Sequence, residues 1–597
     1  MSSGTRKTRR LLVVGLGDPR GTLGDRRNVG RSCLEYMASA WNIELHDLAT
    51  EAGLGWAAET FATPKAKALA AAFDAKAAGT AEMRMSATPK ACDEECDNGE
   101  GSGKRKRKGS QRAGGCKTGV LARVGRKKLK FSSPAGKAGE TVSVKAEIVL
   151  VSPTAYLVSS GHVLKTVLEL TASSPGELLV LYPDLRVTIG KYRSYQSGTA
   201  SHPGLPDLYR CLESTEFPRF GIGINGIHKA GPTSSWDNFI ATEFEPHELA
   251  MFEVRTLVRV KDGVGLLLAG KLDPPEPFEL VWENGDHYVC GDKVGEGKFG
   301  AVFKAVDTRD SSEVVLKMLK KTRDLERKIA REVEMLMAVR SGPNIVRLLC
   351  TAVIEDEEYR DDAMVFEFVS SISHRDLFAQ IDLRTARVYM YKLLKAVEYT
   401  HSLNILHLDI KPSNVLYNPQ TTQFRLADWG LAARWQPGVP NYGPLGTRCY
   451  KAPELCLRYD LYGPPVDIWA IGCTLAAMLF LPSDGRNPFI RARGSWLNQL
   501  VAITEVVSSD VMFAYLDKYR MGVHLLEEEL ELLRGHPAVA WEDRVTPKNA
   551  HMADPAGFEL VAGLLTCDHE SRWTATQALA SPFFDPVRNE IEAAPPL

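Results

Sequence analysis

The sequence predicts two domains of different fold class, an α/β domain with a mixed sheet in the N-terminal half and an α+β domain of two lobes in the C-terminal half. In the first half, short apolar runs alternate with helical stretches, which favours a sheet covered by helices. In the second half, a glycine-rich hairpin pattern comes first and long helical stretches follow. A chain of 597 residues fits roughly two to four domains, so this division is consistent with its length.

Composition places the chain among globular proteins and names no partner. It has 73 basic and 74 acidic residues, which cancel, and 44% of its residues are apolar. The 11 cysteines show no repeated spacing, which is typical of free thiols in a reducing compartment. The longest apolar stretch, residues 468–481, is shorter than the roughly 20 residues that cross a bilayer. We therefore predict a protein of the nucleus, the cytoplasm or both, without a membrane segment.

Five elements carry the prediction for the first domain. Residues 10–17 form a short apolar run that ends in glycines, as a buried strand turning into a loop does. Further buried strands fit residues 146–151 and 178–182. Helical stretches fit residues 29–41 and 159–170. Strands and helices that alternate in this way predict an α/β layer fold.

Four segments of this half resemble bacterial-type peptidyl-tRNA hydrolase. In chain order they are LLVVGLGDPRGTLGDRRNVG, VLVSPTAYLVSSGHVLKTVLE, LLVLYPDLRVTIGKYR and GTASHPGLPDLYRCLESTEFPRFGIGING. The resemblance covers residues 9–62 and 147–268, within a predicted domain of residues 9–268 that follows a tail of residues 1–8. It implies a mixed sheet with flanking helices. The family hydrolyses the ester between a peptide and tRNA.

The family's polar site residues are nearly all replaced in this sequence. An arginine stands where the family has its catalytic histidine, and a guanidinium cannot act as a general base near neutral pH. Valine and proline side chains stand at other site positions and offer no hydrogen bond. The replacing residues are Asp18, Arg27, Val158, Pro183 and Pro203, while His202 remains and is interpreted as a surface histidine. We predict a degenerate domain retained for binding or folding; the alternatives are hydrolase activity or RNA binding.

Residues 63–141 are predicted to be a disordered insertion within this domain. They are rich in Ala, Gly, Lys, Arg and Ser and poor in aromatic residues, so they bury too little apolar surface to fold. Two basic clusters lie in the segment, at residues 104–108 and 123–130. They are either solvated charge runs or a nuclear-import signal or nucleic-acid tether, since clustered cations bind polyphosphate. Weak RNA or nucleic-acid contact is therefore one candidate role.

The motif H-x-D-x-K-x-x-N at residues 407–414 carries the chemistry of the second domain. It places a carboxylate, an amine and a carboxamide within one tight turn, as phosphoryl transfer needs. Asp409 would orient the attacking hydroxyl and accept its proton, and Lys411 would neutralise charge on the transferred phosphate. Asn414 and Asp428 would hold magnesium. Taken alone, so short a polar match is equally compatible with a solvated turn.

A glycine-rich flap and a Lys–Glu pair precede this motif. G-x-G-x-x-G at residues 295–300 is weak evidence alone, because dinucleotide folds use it too. Here Val302 and Phe303 follow and no helix opens, which favours a β-hairpin over ATP phosphates. Lys317 would grip the α- and β-phosphates, and Glu332, in a helical stretch at residues 325–339, would pair with it. The alternative for these two residues is a pair of unrelated surface charges.

The ordered set of motifs resembles a protein kinase over residues 278–585, after a proline-rich linker at residues 269–277 and before a tail at residues 586–597. The resemblance implies ATP and Mg²⁺ as cofactors. Thr447 marks serine/threonine specificity, because its hydroxyl can bridge Asp409 and Lys411. Glu454 would pair with Arg572, and Asp467, which opens the apolar helix near residues 468–481, would brace the catalytic loop.

The strand at residues 364–369 is predicted to run into the hinge between the lobes. Backbone groups of Glu367 and Val369 would meet adenine, Phe366 would wall the pocket, and Ala427 would add to its lining. The helix at residues 383–402 would deliver the chain to the catalytic loop. The residues predicted to contact the nucleotide are Val294, Gly295, Gly297, Gly300, Val302, Val315, Lys317, Glu332, Phe366, Glu367, Val369 and Leu416.

Within kinases, the sequence resembles the catalytic subunit of casein kinase II. The shared stretches are RLADWGLAARWQPG, SGPNIVRLL, LLKAVEYTHSLNILH and LDKYR. The resemblance implies Ser/Thr substrates near acidic residues, and a regulatory subunit as a further partner. Leu408 stands where kinases usually have the arginine that reads a phosphate on the activation segment, so activation through such a phosphate is not expected. The basic residues that could attract acidic substrates are Lys320, Lys321, Arg323, Arg327, Lys328, Arg331, Arg448 and Lys451.

The sequence therefore predicts an ATP- and Mg²⁺-dependent serine/threonine kinase fused to an inactive hydrolase-like domain. Two other functions remain as alternatives. One is that the hydrolase-like half is the active enzyme; the replacement of site residues by Arg27 and Val158 argues against it. The other is a non-catalytic scaffold, which the replacement at Leu408 keeps open.

Overall fold

The computed structural model describes fifteen stretches of the chain, and every structural statement below concerns these. They divide into two compact units, the first ending at Asp273 and the second beginning at Pro274. The prolines of the predicted linker lie outside the described residues. The described stretches are residues 9–16, 26–47, 122–134, 141–153, 160–196, 202, 204–225, 242–272, 278–297, 300–320, 325–355, 360–441, 446–480, 488–522 and 525–593.

The first unit is built on a mixed sheet of seven strands in the order β2-β3-β4-β1-β5-β7-β6. Strands β4, β1, β5 and β7 are parallel, and β6 runs antiparallel to β7. The predicted α/β class and mixed sheet are thereby confirmed. The strands are β1 (Arg9–Gly15), β2 (His46–Asp47), β3 (Ala122–Pro134), β4 (Thr141–Pro153), β5 (Leu178–Thr188), β6 (Tyr192–Tyr195) and β7 (Arg219–Asn225).

Helices flank this sheet. The first matches its predicted bounds at both ends, and its packing is close, because a Cβ on Gly30 would lie 2.3 Å from the Leu181 carbonyl oxygen. Strands β4 and β5 are longer than predicted, since the ladder continues past their apolar centres. The helices are α1 (Val29–Trp41), α2 (Gly161–Thr171), α3 (Leu205–Leu212), α4 (Pro246–Met251) and α5 (Leu257–Leu268), with a π-helical turn at Phe252–Thr256 between the last two.

The prediction that residues 63–141 are disordered is wrong for Ala122–Pro134, which forms strand β3. Ala122 and Val124 point into the core and are fully buried. Two arginines of the strand are paired: Arg123 donates to Glu35 at 3.1 Å, and Arg126 pairs with Glu147. The prediction from composition failed here because a single strand needs few apolar residues when it pairs with strands of an existing sheet. The basic cluster at residues 104–108 lies outside the described residues.

The N-terminal lobe of the second unit is a sheet of six strands in the order β8-β12-β13-β11-β10-β9. Neighbouring strands are antiparallel except β8, which pairs in parallel with β12. Helix α6 (Leu325–Val339) has the predicted bounds and buries Ile329, Val333 and Leu336. The strands are β8 (Glu283–Asn284), β9 (Tyr288–Gly297), β10 (Gly300–Asp307), β11 (Ser312–Leu319), β12 (Leu348–Glu355) and β13 (Arg360–Glu367).

The C-terminal lobe is mostly helical, which together with the sheet above confirms the predicted α+β class. Two short strand pairs, β14 with β17 and β15 with β16, lie beside the candidate site. The strands are β14 (Ile405–Leu406), β15 (Val415–Tyr417), β16 (Phe424–Leu426) and β17 (Ala433–Arg434). The helices are α7 (His374–Ala379), α8 (Leu383–Ser402), α9 (Pro453–Cys456), α10 (Pro465–Phe480), α11 (Trp496–Val507), α12 (Ser509–Lys518), α13 (Glu527–Glu531), α14 (Pro555–Leu564), α15 (Ala575–Leu579) and α16 (Asp585–Ala593).

The predicted tail at residues 586–597 is wrong for most of its length, because α16 packs on the lobe. Val587 is 1% exposed, and Arg384 of α8 donates to Glu590 at 2.6 Å. The lobe therefore extends to residue 593, and residues 594–597 lie outside the described part. None of the described helices is by itself long and apolar enough to cross a membrane; α11 and α12 have that length and composition only together, as a pair bent by 117°.

Candidate active site

Asp409, Lys411 and Thr447 lie together in the C-terminal lobe of the second unit. The Lys411 ammonium donates to Asp409 Oδ2 at 2.6 Å and to Thr447 Oγ1 at 2.9 Å. The Thr447 hydroxyl donates to Asp409 Oδ1 at 2.7 Å, and its backbone N–H donates to the same oxygen at 2.8 Å. The structure thus brings together three residues that the sequence predicted to act together, two of them 38 positions apart.

The Asp409 carboxylate is ionised in this arrangement. Its burial opposes ionisation, but the hydrogen bonds from Lys411 and Thr447 outweigh burial and hold the pKa of the carboxyl below its ordinary value. Asp409 is 7% exposed, so its carboxylate is hydrogen-bonded by protein groups and is not surrounded by water. A fixed, ionised carboxylate can orient a hydroxyl group and accept its proton.

Asn414 and Asp428 provide the oxygen atoms that a magnesium ion prefers. The Asn414 amide group donates to the Asp409 carbonyl at 2.9 Å, which leaves the Asn414 side-chain oxygen for another ligand. Asp428 is exposed at φ +61°, and within the described residues its carboxylate has no hydrogen-bond donor. The described part of the chain holds no group of three His, Cys, Asp or Glu suited to a metal. A magnesium site with few protein ligands, completed by phosphates and water, fits these residues.

Asp467, at the start of α10, braces the catalytic loop as predicted. Its buried carboxylate accepts the backbone N–H groups of His407 at 2.9 Å and Leu408 at 2.8 Å. His401 Nε2 lies 3.0 Å from the same carboxylate. Leu408 has φ +65°, a conformation that costs free energy in a residue with a side chain, so these hydrogen bonds hold the loop in a strained shape.

Lys317 and Glu332 form the ion pair that their spacing predicted. The Lys317 ammonium lies 2.6 Å from Glu332 Oε1, and the two side chains are 17% and 7% exposed. Lys317 lies on β11 and Glu332 on α6, so the pair joins the sheet to the helix of the same lobe. The alternative of two unrelated surface charges is excluded by this contact.

The glycine-rich hairpin consists of β9 and β10, with Gly297 opposite Gly300 and Gly295 opposite Val302. A Cβ on Gly300 would lie 1.8 Å from the Met318 carbonyl oxygen, so the sheet itself requires glycine there. A Cβ on Gly295 would meet nothing closer than Val302 at 3.7 Å. Gly295 is therefore not required by packing within the described chain, and its predicted contact with the ATP phosphates remains a prediction.

Comparison with protein families agrees with this geometry. Residues 288–584 match the family model of the protein kinase domain. The chain contains a protein kinase domain. Residues 119–274 match the family model of peptidyl-tRNA hydrolase, and this match begins inside the segment predicted as an insertion and leaves out residues 9–62.

The hinge of the kinase domain differs in one detail from the prediction. The backbone N–H of Glu367 donates to the Arg347 carbonyl at 3.1 Å, so of its backbone groups only the carbonyl remains for adenine. The Glu367 carboxylate accepts from Arg425 Nε at 2.7 Å, a bond between the hinge and strand β16 that sequence reasoning missed. Phe366 is 9% exposed and belongs to the core, while its role as a wall of the adenine pocket remains a prediction.

The remaining predicted lining residues are only partly buried or are exposed. Val302, Val315, Leu416 and Ala427 are partly buried, whereas Val294 is 60% exposed. Val369 is the second residue after the end of β13. Their roles toward a nucleotide remain predictions, since the contacts they would make are to the ligand itself.

His407 and Trp429 support the catalytic loop and were not singled out by the sequence. His407 is fully buried; its Nδ1 accepts the Asp409 backbone N–H at 3.3 Å, and its Nε2 lies 3.1 Å from the Ala427 carbonyl. Burial lowers the pKa of His407, so the ring is neutral and Nε2 is the protonated nitrogen. The Trp429 ring lies 4.7 Å from His407. The histidine that opens the H-x-D motif is the signal that pointed to this role.

Glu454 and Arg572 form the predicted ion pair of the kinase domain. The guanidinium donates to the two carboxylate oxygens at 2.7 and 3.0 Å, and both side chains are almost completely buried. Arg572 also donates to the carbonyls of Thr566, Cys567 and Pro465. The guanidinium is therefore bonded on all sides, which is how a buried charge is accommodated.

The basic residues predicted to attract acidic substrates divide by their contacts. Arg448 is exposed and Lys451 partly buried, and both follow Thr447 closely in the chain. Burial lowers the pKa of Lys451, with the Asp409 carboxylate among the charges acting against that shift. Lys320 lies 3.5 Å from Glu296, and Arg331 donates to the Ala432 carbonyl. Lys321 and Arg323, and the side chain of Arg327, lie outside the described part, while Lys328 is exposed.

In the hydrolase-like domain, the described site positions carry no free carboxylate. Pro183 lies buried within β5, and the neighbouring Asp184 accepts hydrogen bonds from Arg186 Nε at 3.0 Å and from the Tyr195 hydroxyl at 3.0 Å. The interpretation of His202 as a surface residue is wrong: it is 3% exposed, and burial lowers its pKa to about 3. Asp18, Val158 and Pro203, and the side chain of Arg27, lie outside the described residues.

Proposed function

We propose that this protein is an ATP- and Mg²⁺-dependent serine/threonine protein kinase. The observation that carries the proposal is the cluster in which Asp409 is held by Lys411 and Thr447. The match to the protein kinase domain supports kinase activity in general. The finer assignment to serine and threonine rests on Thr447, because its hydroxyl bridges the catalytic carboxylate and the lysine.

Each side chain has a definite task in this mechanism. Asp409 orients the substrate hydroxyl and takes its proton as the oxygen attacks the γ-phosphorus of ATP; the bond from that phosphorus to the β-phosphate oxygen breaks and ADP leaves. The Lys411 ammonium, held beside Asp409, offsets negative charge on the group in transfer. Lys317, held by Glu332, neutralises the α- and β-phosphates, while Asn414 and Asp428 offer their oxygens to magnesium. When bound, Mg²⁺ neutralises phosphate charge and aligns the groups for in-line displacement.

We also propose that the substrates carry acidic residues near the phosphorylated hydroxyl. Arg448 and Lys451 support this, because Arg448 begins and Lys451 directly follows the 3₁₀ turn after Thr447, and Lys451 lines the same cavity as Asp409 and Thr447. The resemblance to the casein kinase II catalytic subunit points the same way. Acidic side chains entering such a field gain Coulomb energy, mainly at low ionic strength.

The purified full-length chain, with ATP and MgCl₂, tests both proposals. We expect transfer of labelled phosphate to a serine peptide followed by aspartates, and weaker transfer when lysines replace the aspartates. Lys317→Met should remove most of the activity, while Glu505→Ala, an exposed change on α11, should not. A wild-type chain that labels neither peptide would contradict the kinase assignment, and equal labelling of both would contradict only the acidic preference.

We infer that the hydrolase-like domain does not cleave peptidyl-tRNA. The support is that Pro183 replaces a carboxylate, and that the adjacent Asp184 is engaged by Arg186 and Tyr195. Burial opposes ionisation of Asp184, but Arg186 outweighs it and holds the pKa of this carboxyl below its ordinary value, so it serves an ion pair. Release of peptide from peptidyl-tRNA by the full chain, retained in the Lys317→Met variant, would overturn this inference.

A further inference from the structure

Thr242, in the hydrolase-like domain, stands in a sequence that an acid-directed kinase would select. It begins the stretch Thr-Glu-Phe-Glu at residues 242–245, so glutamates occupy the first and third positions after the hydroxyl. No other serine or threonine of the sequence has two acidic residues among the three that follow it. Of all the aliphatic hydroxyl groups of the chain, that of Thr242 therefore has the most negative charge directly after it.

The structure exposes the residues of this stretch that a kinase would need to reach. Thr242, Glu243 and Glu245 are exposed, whereas Phe244 between the two glutamates is buried. The Phe244 ring stacks on Phe252 with their centroids 5.4 Å apart. The aromatic ring thus anchors the stretch, while the hydroxyl-bearing residue and both charged residues are open to solvent.

Two threonines of the same domain that precede a single acidic residue show the difference. Thr166 lies within helix α2 and its hydroxyl donates to the His162 carbonyl at 3.1 Å, so the helix would have to unwind to present it. Thr215 is partly buried, and its hydroxyl donates to Glu216, the acidic residue that follows it, at 3.2 Å. Neither residue combines exposure with two following carboxylates, as Thr242 does.

Arg26 holds Thr242 and leaves its hydroxyl suited to transfer. Arg26 Nε donates to Thr242 Oγ1 at 3.0 Å, and the Arg26 backbone N–H donates to the Thr242 carbonyl at 3.3 Å. The guanidinium is buried and also donates to the Ile224 carbonyl and to the Glu248 carboxylate. Because Oγ1 accepts from Arg26, the hydroxyl keeps its own hydrogen to donate to a base. A phosphate on Oγ1 would stand beside the same guanidinium, and hydrogen bonds from arginine to phosphate are stronger than those to a neutral hydroxyl.

We propose that Thr242 is a phosphorylation site of this protein, modified by the protein's own kinase activity and recognised through Glu243 and Glu245. This inference rests on the proposed kinase function and its acidic preference, and it names one substrate of that site. In the step, Thr242 Oγ1 forms a bond to the γ-phosphorus of ATP, and the bond from that phosphorus to the β-phosphate oxygen breaks. ADP leaves, and the hydroxyl proton passes to Asp409.

Mass spectrometry of the full-length chain tests the site directly. Wild-type protein is treated with a phosphatase, separated from it and incubated with ATP and MgCl₂, and the phosphopeptides that contain residue 242 or residue 215 are quantified over time. We expect phosphate to accumulate at Thr242 and to stay at background at Thr215, the matched control. Lys317→Met, treated in the same way, should carry phosphate at neither residue, which shows that the modification comes from the chain itself.

Glu243 provides the second arm of the test, since Glu245 is the N-cap residue of α4 and is left unchanged. Glu243→Gln should slow phosphorylation of Thr242 about two- to fivefold, the range expected of one exposed charge interaction. Glu243→Asp keeps the charge and should retain most of the rate. Both variants should label the acidic serine peptide at the wild-type rate. Thermal unfolding of each variant identifies any loss that comes from unfolding.

The outcomes separate this inference from the kinase assignment. Phosphate at Thr242 that depends on Lys317 and on the charge at Glu243 supports it. A wild-type chain that labels the acidic serine peptide but carries no phosphate at Thr242 overturns the inference and leaves the kinase assignment intact. Equal rates at Thr242 in wild type and Glu243→Gln overturn recognition through the glutamates. A chain that labels neither the peptide nor itself contradicts the kinase assignment, and the inference fails with it.

Discussion

The Thr447 hydroxyl lies 2.7 Å from Asp409 Oδ1 and 2.9 Å from the Lys411 ammonium, so one hydroxyl connects the two charged groups of the catalytic loop. Thr447→Val keeps the shape of the side chain but removes this connection. We expect a loss of kcat of roughly tenfold or more, from the free energy of a hydrogen bond to a charged group. Thr447→Ser should retain most of the activity.

Steady-state kinetics with saturating ATP measures this effect. A valine variant with wild-type kcat would show that the hydroxyl does not contribute to the reaction. It would also remove the structural argument for serine/threonine specificity.

Lys411→Met should change how the activity depends on pH. In the folded protein burial raises the pKa of Asp409, and the bonds from Lys411 and Thr447 lower it further than burial raises it. The ionised form is therefore present above a depressed pKa and is lost only when the pH falls through that value. Without the hydrogen bond from Lys411, less opposes the effect of burial, so the pKa of Asp409 rises.

The acid limb of kcat/KM against pH, measured for wild type and Lys411→Met, reports this shift. We expect the acid limb of Lys411→Met to lie at higher pH than that of the wild type, and the plateau of kcat/KM to be lower. An acid limb at the same or lower pH in the variant would contradict the role given to Lys411.

Gly446→Ala should impair the site by sterics alone. A Cβ at this position would lie 2.0 Å from the Leu408 carbonyl oxygen and 3.3 Å from Asp409 Oδ1. The backbone must move to relieve the overlap, which would displace the adjacent Thr447 from Asp409. We expect a loss in kcat of roughly 10²-fold, the effect of a displacement of about 1 Å at a catalytic group. Gly522→Ala, whose Cβ would meet Leu516 at 3.9 Å and no nearer atom of the described residues, is the control and should be active.

Arg572→Met should destabilise the kinase domain. The change leaves the Glu454 carboxylate buried without its cation, which costs about 3–5 kcal/mol of the free energy of unfolding. Chemical denaturation, followed by fluorescence, measures the difference. Arg384→Met removes one partner of an exposed pair and should cost less than about 1 kcal/mol. Equal losses in both variants would contradict the importance given to burial.

The elements that could be predicted from sequence are those with a strong local signal. Helices α1, α6 and α8 have the predicted bounds, because the spacing of their apolar residues fixes the buried face. The contacts of Asp409, Lys411 and Thr447 followed from motifs whose spacing is tied to the chemistry. Strand β3 was missed because its inward residues include small Ala122 and only one valine, Val124, among arginines and lysines.

Contacts between distant residues could not be predicted. The bond from Arg425 to Glu367 joins residues 58 positions apart, and the Arg434–Glu334 pair joins residues 100 apart. No local pattern marks either charge as paired rather than solvated. His202 was misjudged for the same reason, since its burial depends on Tyr182 and on strands that precede it by some twenty residues.

The proposed mechanism depends above all on Asp409 as the proton acceptor of a phosphoryl transfer from ATP. Asp409→Asn keeps the size and most hydrogen-bonding atoms of the side chain but removes its charge. The decisive experiment is single-turnover phosphorylation of the acidic serine peptide by wild type and by this variant, with ADP affinity and thermal unfolding measured alongside. We expect a rate reduced by roughly 10²- to 10⁴-fold with a folded, nucleotide-binding protein; a folded variant that transfers phosphate at the wild-type rate would contradict this role.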